Sequence, residues 1–416
     1  MKATRARADI TPGLAGQVAG AVQTVYGRQI PFGLRAWDGS HCGPDTGPVV
    51  VMRSPRAVRH LLRSPGELGL ARAYVAGDLD VYGDLKEALR RGRAFMSSGP
   101  GVTPRHGLLL LLRLAMRLGA MGVPPRPPAG EARPAGRKHS PLRDRAVISH
   151  HYDLGNEFYA LILDPTMSYS CAYWTSRETN DGLAAAQCDK ADLVCRKLGL
   201  RAGDSLLDVG CGWGALIVHA AERFGARATG VTNSRRQYEY VKELGAPVEV
   251  VLQDYRDPVG ESFDAVASIE MGEHVGDRNY PLYCRTLYRA LKPGGRMLLQ
   301  QMSRSGVAPG GGPFIERYIA PDMAMRPIHH TLRHLEEAGF EIRDVASLRE
   351  HYVTTIDAWS RRLAANWDEL VYLYGGRLAR IWRLYLSGGA LAFEDARMSV
   401  HQVLAVRPSG GTGALS

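Results

Sequence analysis

The stretch SLLDVGCGWGALI, Ser205 to Ile217, reads as an apolar strand, a glycine-rich turn and the start of a helix. Gly210, Gly212 and Gly214 let the chain reverse sharply and bring its backbone close to a ligand, while the helix behind them offers unpaired N–H groups. Asp208 closes the strand. Such a turn fits the nucleotide-binding end of a parallel α/β sheet, but nicotinamide enzymes use nearly the same one.

The strands beyond the turn separate the two. A dinucleotide enzyme needs an acidic residue about 20 positions further on to hold the ribose hydroxyls. Here the second strand, ATGVTNS from Ala228 to Ser234, ends in Thr232, Asn233 and Ser234, with Gln237 one turn later, all uncharged. A third strand, VEVVLQDY (Val248 to Tyr255), delivers Asp254 beside an aromatic ring, suited to an adenine edge. A fourth, FDAVASIEM (Phe263 to Met271), ends in carboxylates, and KPGGRMLLQQ (Lys292 to Gln301) supplies a fifth. This order resembles a class I S-adenosylmethionine methyltransferase with a Rossmann-like α/β catalytic domain. The competing reading is a similar sheet holding another nucleotide.

A chain of 416 residues, 45% hydrophobic and 23% charged, is globular and long enough for two domains. A net charge of +10 favours an anionic partner, although only seven of the basic residues are Lys, which weakens the case for a selected basic surface. Six cysteines without C-x-x-C spacing argue against a zinc site and a disulfide framework. The N-terminal MKATRARADITPGLAG lacks the apolar core of a signal peptide, and no run reaches the roughly 18 apolar residues of a membrane span. A cytoplasmic protein is expected.

Residues 1–122 are expected to form a small α+β lipid-handling domain. It begins with a strand pair, Pro31–Trp37 and Pro48–Arg53, around a turn at Asp38 and Gly39, and continues into a helix capped by Ser54. GLLLLLRLAMRLGAM (Gly107 to Met121) admits two readings, a helix buried between domains or one lying in a lipid interface with Arg113 and Arg117 snorkelling to phosphates. Residues 123–144 form a Pro-rich basic linker, expected to be extended and mobile. The catalytic domain spans 145–416.

Six segments, HYDLGNEFY, LDPTMSYSCAYW, LDVGCGWG, QDYRD, SIEMGEHVG and FIERYI, are together similar to the cyclopropane-fatty-acyl-phospholipid synthase and mycolic acid methyltransferase family. The resemblance covers nearly the whole chain. It implies transfer of a sulfonium methyl to a cis double bond of a phospholipid acyl chain, leaving a carbocation that water would quench. The site then needs a dry apolar tunnel, π faces near the cation and one base. Aromatic candidates are Tyr169, Tyr173, Trp174, Phe314, Tyr318, Tyr352 and Tyr385, with Met271, Met302, Met323 and Met325 as tunnel lining. Taken singly, each is better explained as core packing; taken together beside a methyl donor, they favour the tunnel.

By the same resemblance, Tyr169 and Ser170 would hold the methionine end of the cofactor, Asp208, Gly210, Gly212 and Trp213 its length, Thr232 and Gln237 the ribose, and Asp254 and Tyr255 the adenine. A bound bicarbonate would be the base, in a set matching Cys171, Glu273, Gln300 and Tyr352. The family's histidine is replaced by Gln300, which cannot become cationic. Gly272 stands where a bulky apolar residue precedes the Glu, and APDMAMRP (Ala320 to Pro327) also departs from the pattern. These changes resemble the actinobacterial branch that makes an exomethylene acyl chain, later reduced to a methyl branch by a separate enzyme. Glu270 joins the catalytic candidates as a carboxylate that could tolerate the required hydride shift, with a strand-end hydrogen bonder as its plain alternative.

The implied partner is unsaturated phospholipid at an anionic membrane surface on the inner face, with a separate reductase downstream and a homodimer left open. Cys171 has no activating His in its motif, which argues against a nucleophile. The pairs His150-His151 and His329-His330 lack further ligands, so no metal is expected. A nucleic-acid methyltransferase lacks a base-reading motif here. A small-molecule N- or O-methyltransferase would share the cofactor turn without needing the HYDLGN and YSCAYW segments.

Overall fold

The computed structural model describes residues 13–409, except 98, 100, 102, 124, 133–134, 153, 176–181, 258–259, 261 and 306–310; the side chains of 104, 146 and 148–152 are also outside the description. The chain divides into two compact units. One comprises the residues up to Gly130 together with Gly375–Gly388, the other Glu131–Tyr374 and the residues from Gly389 onward.

In the first unit, β1 (Gly33–Arg35), β2 (His41–Cys42), β3 (Val49–Met52) and β4 (Leu79–Tyr82) form a sheet in the order β2-β1-β3-β4. The two early strands do pair, as β1 and β3, but not directly around the turn at Asp38 and Gly39. The turn at Asp38 and Gly39 leads instead into β2, which runs antiparallel to β1, and β3 then lies parallel to β1 on its other side. Asp38 stabilises that turn by accepting from the Ser40 backbone N–H at 3.0 Å. The helix after Ser54 forms over Arg56–Arg63. The leucine-rich segment is helical over Pro104–Arg117, capped by Thr103, with Ala115 buried but Leu108, Leu109, Met116, Arg113 and Arg117 exposed.

The second unit carries a seven-stranded sheet. Its strands are β5 (Ser205–Val209), β6 (Arg227–Thr232), β7 (Glu249–Leu252), β8 (Phe263–Ile269), β9 (Leu291–Ser303), β10 (Glu341–Ser347) and β11 (Ser399–Val406). Their order is β10-β11-β9-β8-β5-β6-β7, parallel from β9 to β7, with β11 antiparallel to both neighbours. The first five reproduce the strands read from the sequence, because their apolar runs are buried on both faces, as parallel strands between helices must be. Leu206, Leu207, Val266, Leu298 and Leu299 are fully buried, each contributing about 2 kcal/mol of burial.

The described part of the segment expected to be a mobile linker is instead tied down from Glu131 onward. The Ala132 N–H donates to Arg317 O, Tyr318 donates to Glu131, and Arg143 makes a two-pronged ion pair with the buried Asp322. A proline-rich composition does not prevent ordering where side chains such as these reach buried partners. Helix Pro141–Tyr152 starts inside this stretch.

Candidate active site

The order of the sheet reverses between β5 and β8, and the carboxyl ends of strands at such a point form a natural crevice. A cavity of about 150 Å³ lies there, and its walls include all ten cofactor-binding candidates: Tyr169, Ser170, Asp208, Gly210, Gly212, Trp213, Thr232, Gln237, Asp254 and Tyr255. Gly210, Gly212 and Gly214 have φ of 90°, 56° and 86°, which ordinary residues avoid. A Cβ on Gly210 would also lie 2.8 Å from Met271 Cγ.

The polar wall is partly self-satisfied and partly open. Thr232 donates to Gln237 Oε1 at 2.8 Å, and Asp254 accepts from the Arg256 N–H and guanidinium at 3.0 and 2.8 Å. By contrast Asp208 Oδ1, Gln253 Nε2 and the Tyr255 hydroxyl are buried without a hydrogen-bond partner among the described residues. Burial pushes the Asp208 carboxyl up to about 7, with Lys190 pulling it back. Buried polar atoms left open in this way call for a ligand. An acceptor, a donor and a hydroxyl around a glycine turn suit the amine, carboxylate and hydroxyl groups of S-adenosylmethionine.

The segment bearing Tyr169 and Ser170 is shaped by its own side chains and by two helices. Asp164 accepts from the backbone of Thr166 and Ser168 at 2.9 and 3.2 Å, closing a turn. From helix Gly182–Leu198, Gln187 donates to the carbonyls of Ser168 and Ser170, and Lys190 donates to Ser170 Oγ at 3.0 Å. On the other side, Thr355 in helix Arg349–Ala365 accepts from the Ala172 N–H at 3.1 Å. Rings gather here too. Tyr169 lies 5.2 Å from Trp359 and 5.6 Å from Tyr159, which lies 4.8 Å from Trp213.

The five catalytic candidates do not play equal parts. Glu270, directly after β8, lines the cavity, and its carboxylate collects three donors. Oε1 accepts from the Cys171 backbone N–H at 2.8 Å and from Gln300 Nε2 at 2.9 Å, and Oε2 accepts from the Tyr352 hydroxyl at 2.6 Å. Its φ is 51°, a left-handed conformation rare outside glycine, fixed by its N–H donating to Gln300 O at 2.7 Å. Burial raises its pKa, while Tyr352, the Cys171 N–H and Gln300 oppose the rise. Gln300 is itself oriented by Gln402 across the β9–β11 pairing, whose amide donates to Gln300 Oε1 at 3.0 Å.

Glu273 sits apart from this group of donors. It is fully buried and accepts from the Met302 N–H, and its Oε2 has no hydrogen-bond partner among the described residues. Burial first, and Glu270 second, push it up to about 8. Cys171 contributes its backbone; its thiol donates to carbonyls and is pushed well above the ordinary thiol value by burial.

Of the aromatic and methionine candidates, Tyr169 and Met271 line the cavity. Phe314 and Tyr318 pack on each other, Tyr173 packs on His351, and Tyr385 belongs to the first unit, where its ring meets Trp382. The His150 and His151 side chains lie outside the described residues, and His329 packs edge-on against His330. Lys190, Gln253 and His274 also line the cavity and were not singled out from the sequence. A signal existed for Lys190, a polar residue at helical spacing from the buried Gln187 and Val194, whereas Gln253 lay inside a quoted strand.

Strand order, glycine turn and open polar wall together define a class I S-adenosylmethionine-dependent methyltransferase. Residues 139–403 match the family described as mycolic acid cyclopropane synthetase, and the chain belongs to it. It is 37% identical over 409 residues to a probable fatty acid methyltransferase of Pseudomonas putida, covering 95% of this chain and 96% of that protein. It is 31% identical over 400 residues to the tuberculostearic acid methyltransferase UfaA1 of Mycobacterium tuberculosis, covering 91% and 88%. Among solved structures, the mycolic acid cyclopropane synthase CmaA1 complexed with SAH and CTAB superimposes with a TM-score of 0.59 at 32% identity, over 63% of this chain and 98% of that one. The chain is thus an S-adenosylmethionine-dependent lipid-modifying enzyme.

Proposed function

We propose that the enzyme adds a one-carbon unit to the cis double bond of an unsaturated acyl chain in membrane phospholipid, yielding a 10-methylene chain that a separate reductase converts to a methyl branch. The observation that carries this reading is one cavity with two kinds of wall. The open polar atoms of Asp208, Gln253 and Tyr255 suit the donor, while the Glu270 carboxylate and neighbouring rings suit a cationic hydrocarbon. When bound, S-adenosylmethionine supplies a methyl electrophile, its C–S pair staying on sulfur as the alkene π pair makes the new C–C bond. The ring of Tyr169, in the cavity wall, then offers a π face to the charge left on the neighbouring carbon, and a base removes a proton after a hydride shift.

Likeness to a tuberculostearic acid methyltransferase supports the methylene product, and likeness to a cyclopropane synthase keeps ring closure as the second reading. Among the described residues no helix is long and apolar enough to cross a membrane. The first unit is proposed to handle lipid, meeting an anionic bilayer through the exposed Leu108, Leu109, Arg113 and Arg117. The test is to offer labelled methyl donor with oleoyl phospholipid vesicles, nucleic acid or soluble amines, and to analyse labelled lipid by mass spectrometry and proton NMR. Label in lipid with exomethylene protons is the expected result. Ring protons would replace the product half of the reading, and label in non-lipid acceptors alone would overturn it.

A further inference from the structure

We infer that Glu270 is the resident proton acceptor of this site and stands where a bound bicarbonate would otherwise be needed. The inference rests on the proposed alkene methylation and adds to it the identity of the base. Three donors converge on one carboxylate, the Cys171 N–H, Gln300 Nε2 and the Tyr352 hydroxyl, at 2.8, 2.9 and 2.6 Å. Three of the four positions matched to the bicarbonate set are Cys171, Gln300 and Tyr352. Their donors are already committed, and to an anion of the same shape and charge.

The fourth position, Glu273, does not complete a site for a second anion. Its Oε1 accepts from the Met302 N–H and its Oε2 has no hydrogen-bond partner among the described residues, so it brings no second set of donors, and another anion nearby would face the buried Glu270 carboxylate without a compensating cation from Gln300. A bicarbonate therefore does not fit the residues present. Glu270 does fit the work of a base. It lines the methyl-donor cavity, its backbone is held in a left-handed conformation by Gln300, and burial lifts its basicity above that of a solvated carboxylate.

The step balances without a co-reactant. A carboxylate lone pair of Glu270 takes a proton from the methyl-derived carbon, and the released C–H pair becomes the second bond of the exomethylene group, or the third ring bond if no hydride shift precedes it. Turnover returns the proton to solvent. No oxidant or metal is required.

The test uses the whole enzyme, Glu270→Gln and Glu270→Gly, assayed with and without bicarbonate. In parallel, 13C-bicarbonate binding is monitored by NMR line broadening, and S-adenosylhomocysteine binding reports folding. Glycine tolerates the φ at this position, so Glu270→Gly should fold. We expect the wild type to be indifferent to bicarbonate and to leave the labelled anion unbroadened. Glu270→Gln should lose on the order of 10²–10³-fold in kcat without rescue. Glu270→Gly should lose as much but bind the labelled anion and recover at least about tenfold with it. A wild type that needs or binds bicarbonate, or a Glu270→Gln variant at wild-type rate, overturns the inference. The binding arm needs no lipid, so it decides the anion question even if the lipid reading fails.

Discussion

The Tyr352 hydroxyl donates to Glu270 Oε2 across 2.6 Å, joining helix Arg349–Ala365 to the end of β8. This bond favours the ionised carboxylate and opposes the effect of burial. Tyr352→Phe should therefore raise the Glu270 pKa and move the acidic limb of the pH–rate profile to higher pH. A hydrogen bond to a charged group is worth roughly 1.5–3 kcal/mol, so kcat should fall about ten- to a hundredfold with KM little changed. A limb that stays in place would show that Tyr352 only packs against Phe393, 4.5 Å away between ring centres.

Gln253 offers a cleaner separation of binding from folding. Its buried Nε2 has no hydrogen-bond partner among the described residues, so Gln253→Leu removes an unsatisfied group and should leave the melting temperature equal or higher. Calorimetry should at the same time show S-adenosylhomocysteine binding weakened about tenfold, roughly 1.4 kcal/mol. Unweakened binding would remove Gln253 from the cofactor wall.

Glu273 makes stability depend on pH in an unusual direction. Its folded pKa is raised to about 8 from 4.5, so between those values the folded state holds the proton more tightly than the unfolded state. The contribution is fully present below the unfolded value and is lost as pH rises through about 8. Glu273→Gln, which mimics the protonated form, should flatten this decline in urea melts between pH 5 and 8, a window set by those two values.

The exposed arginines of helix Pro104–Arg117 test membrane docking. Each basic residue near an anionic surface contributes about 1 kcal/mol, so Arg113→Glu with Arg117→Glu should weaken vesicle cosedimentation by roughly thirtyfold or more. S-adenosylhomocysteine binding should not change. Unaltered cosedimentation would remove these arginines from a role in docking.

The glycine-turn side of the cavity was legible because it is local. Gly210, Gly212 and Asp208 share one turn, and Thr232, Asp254 and Tyr255 sit at the ends of successive strands, so strand periodicity alone brings them to one crevice. The reacting half was not local. Glu270 meets Gln300, Tyr352 and Cys171 across separations of 30, 82 and 99 residues, and its left-handed φ has no signature in SIEM. Resemblance named Cys171, Gln300 and Tyr352, but no local pattern marks Glu270 as the acceptor they share. The early strand pair was legible, but the short β2 that takes the turn at Asp38 and Gly39 was too brief to carry a pattern.

The left-handed backbone at Glu270 sets thermal robustness against chemistry at a single position. Any L side chain pays roughly 1 kcal/mol or more for such a conformation, and glycine does not. Glycine here would shed that strain but strand the Cys171 N–H, Gln300 Nε2 and the Tyr352 hydroxyl, so a Glu270→Gly protein would hold its heat resistance only in a medium rich in small carboxylates. It would have exchanged a built-in group for dependence on the growth medium.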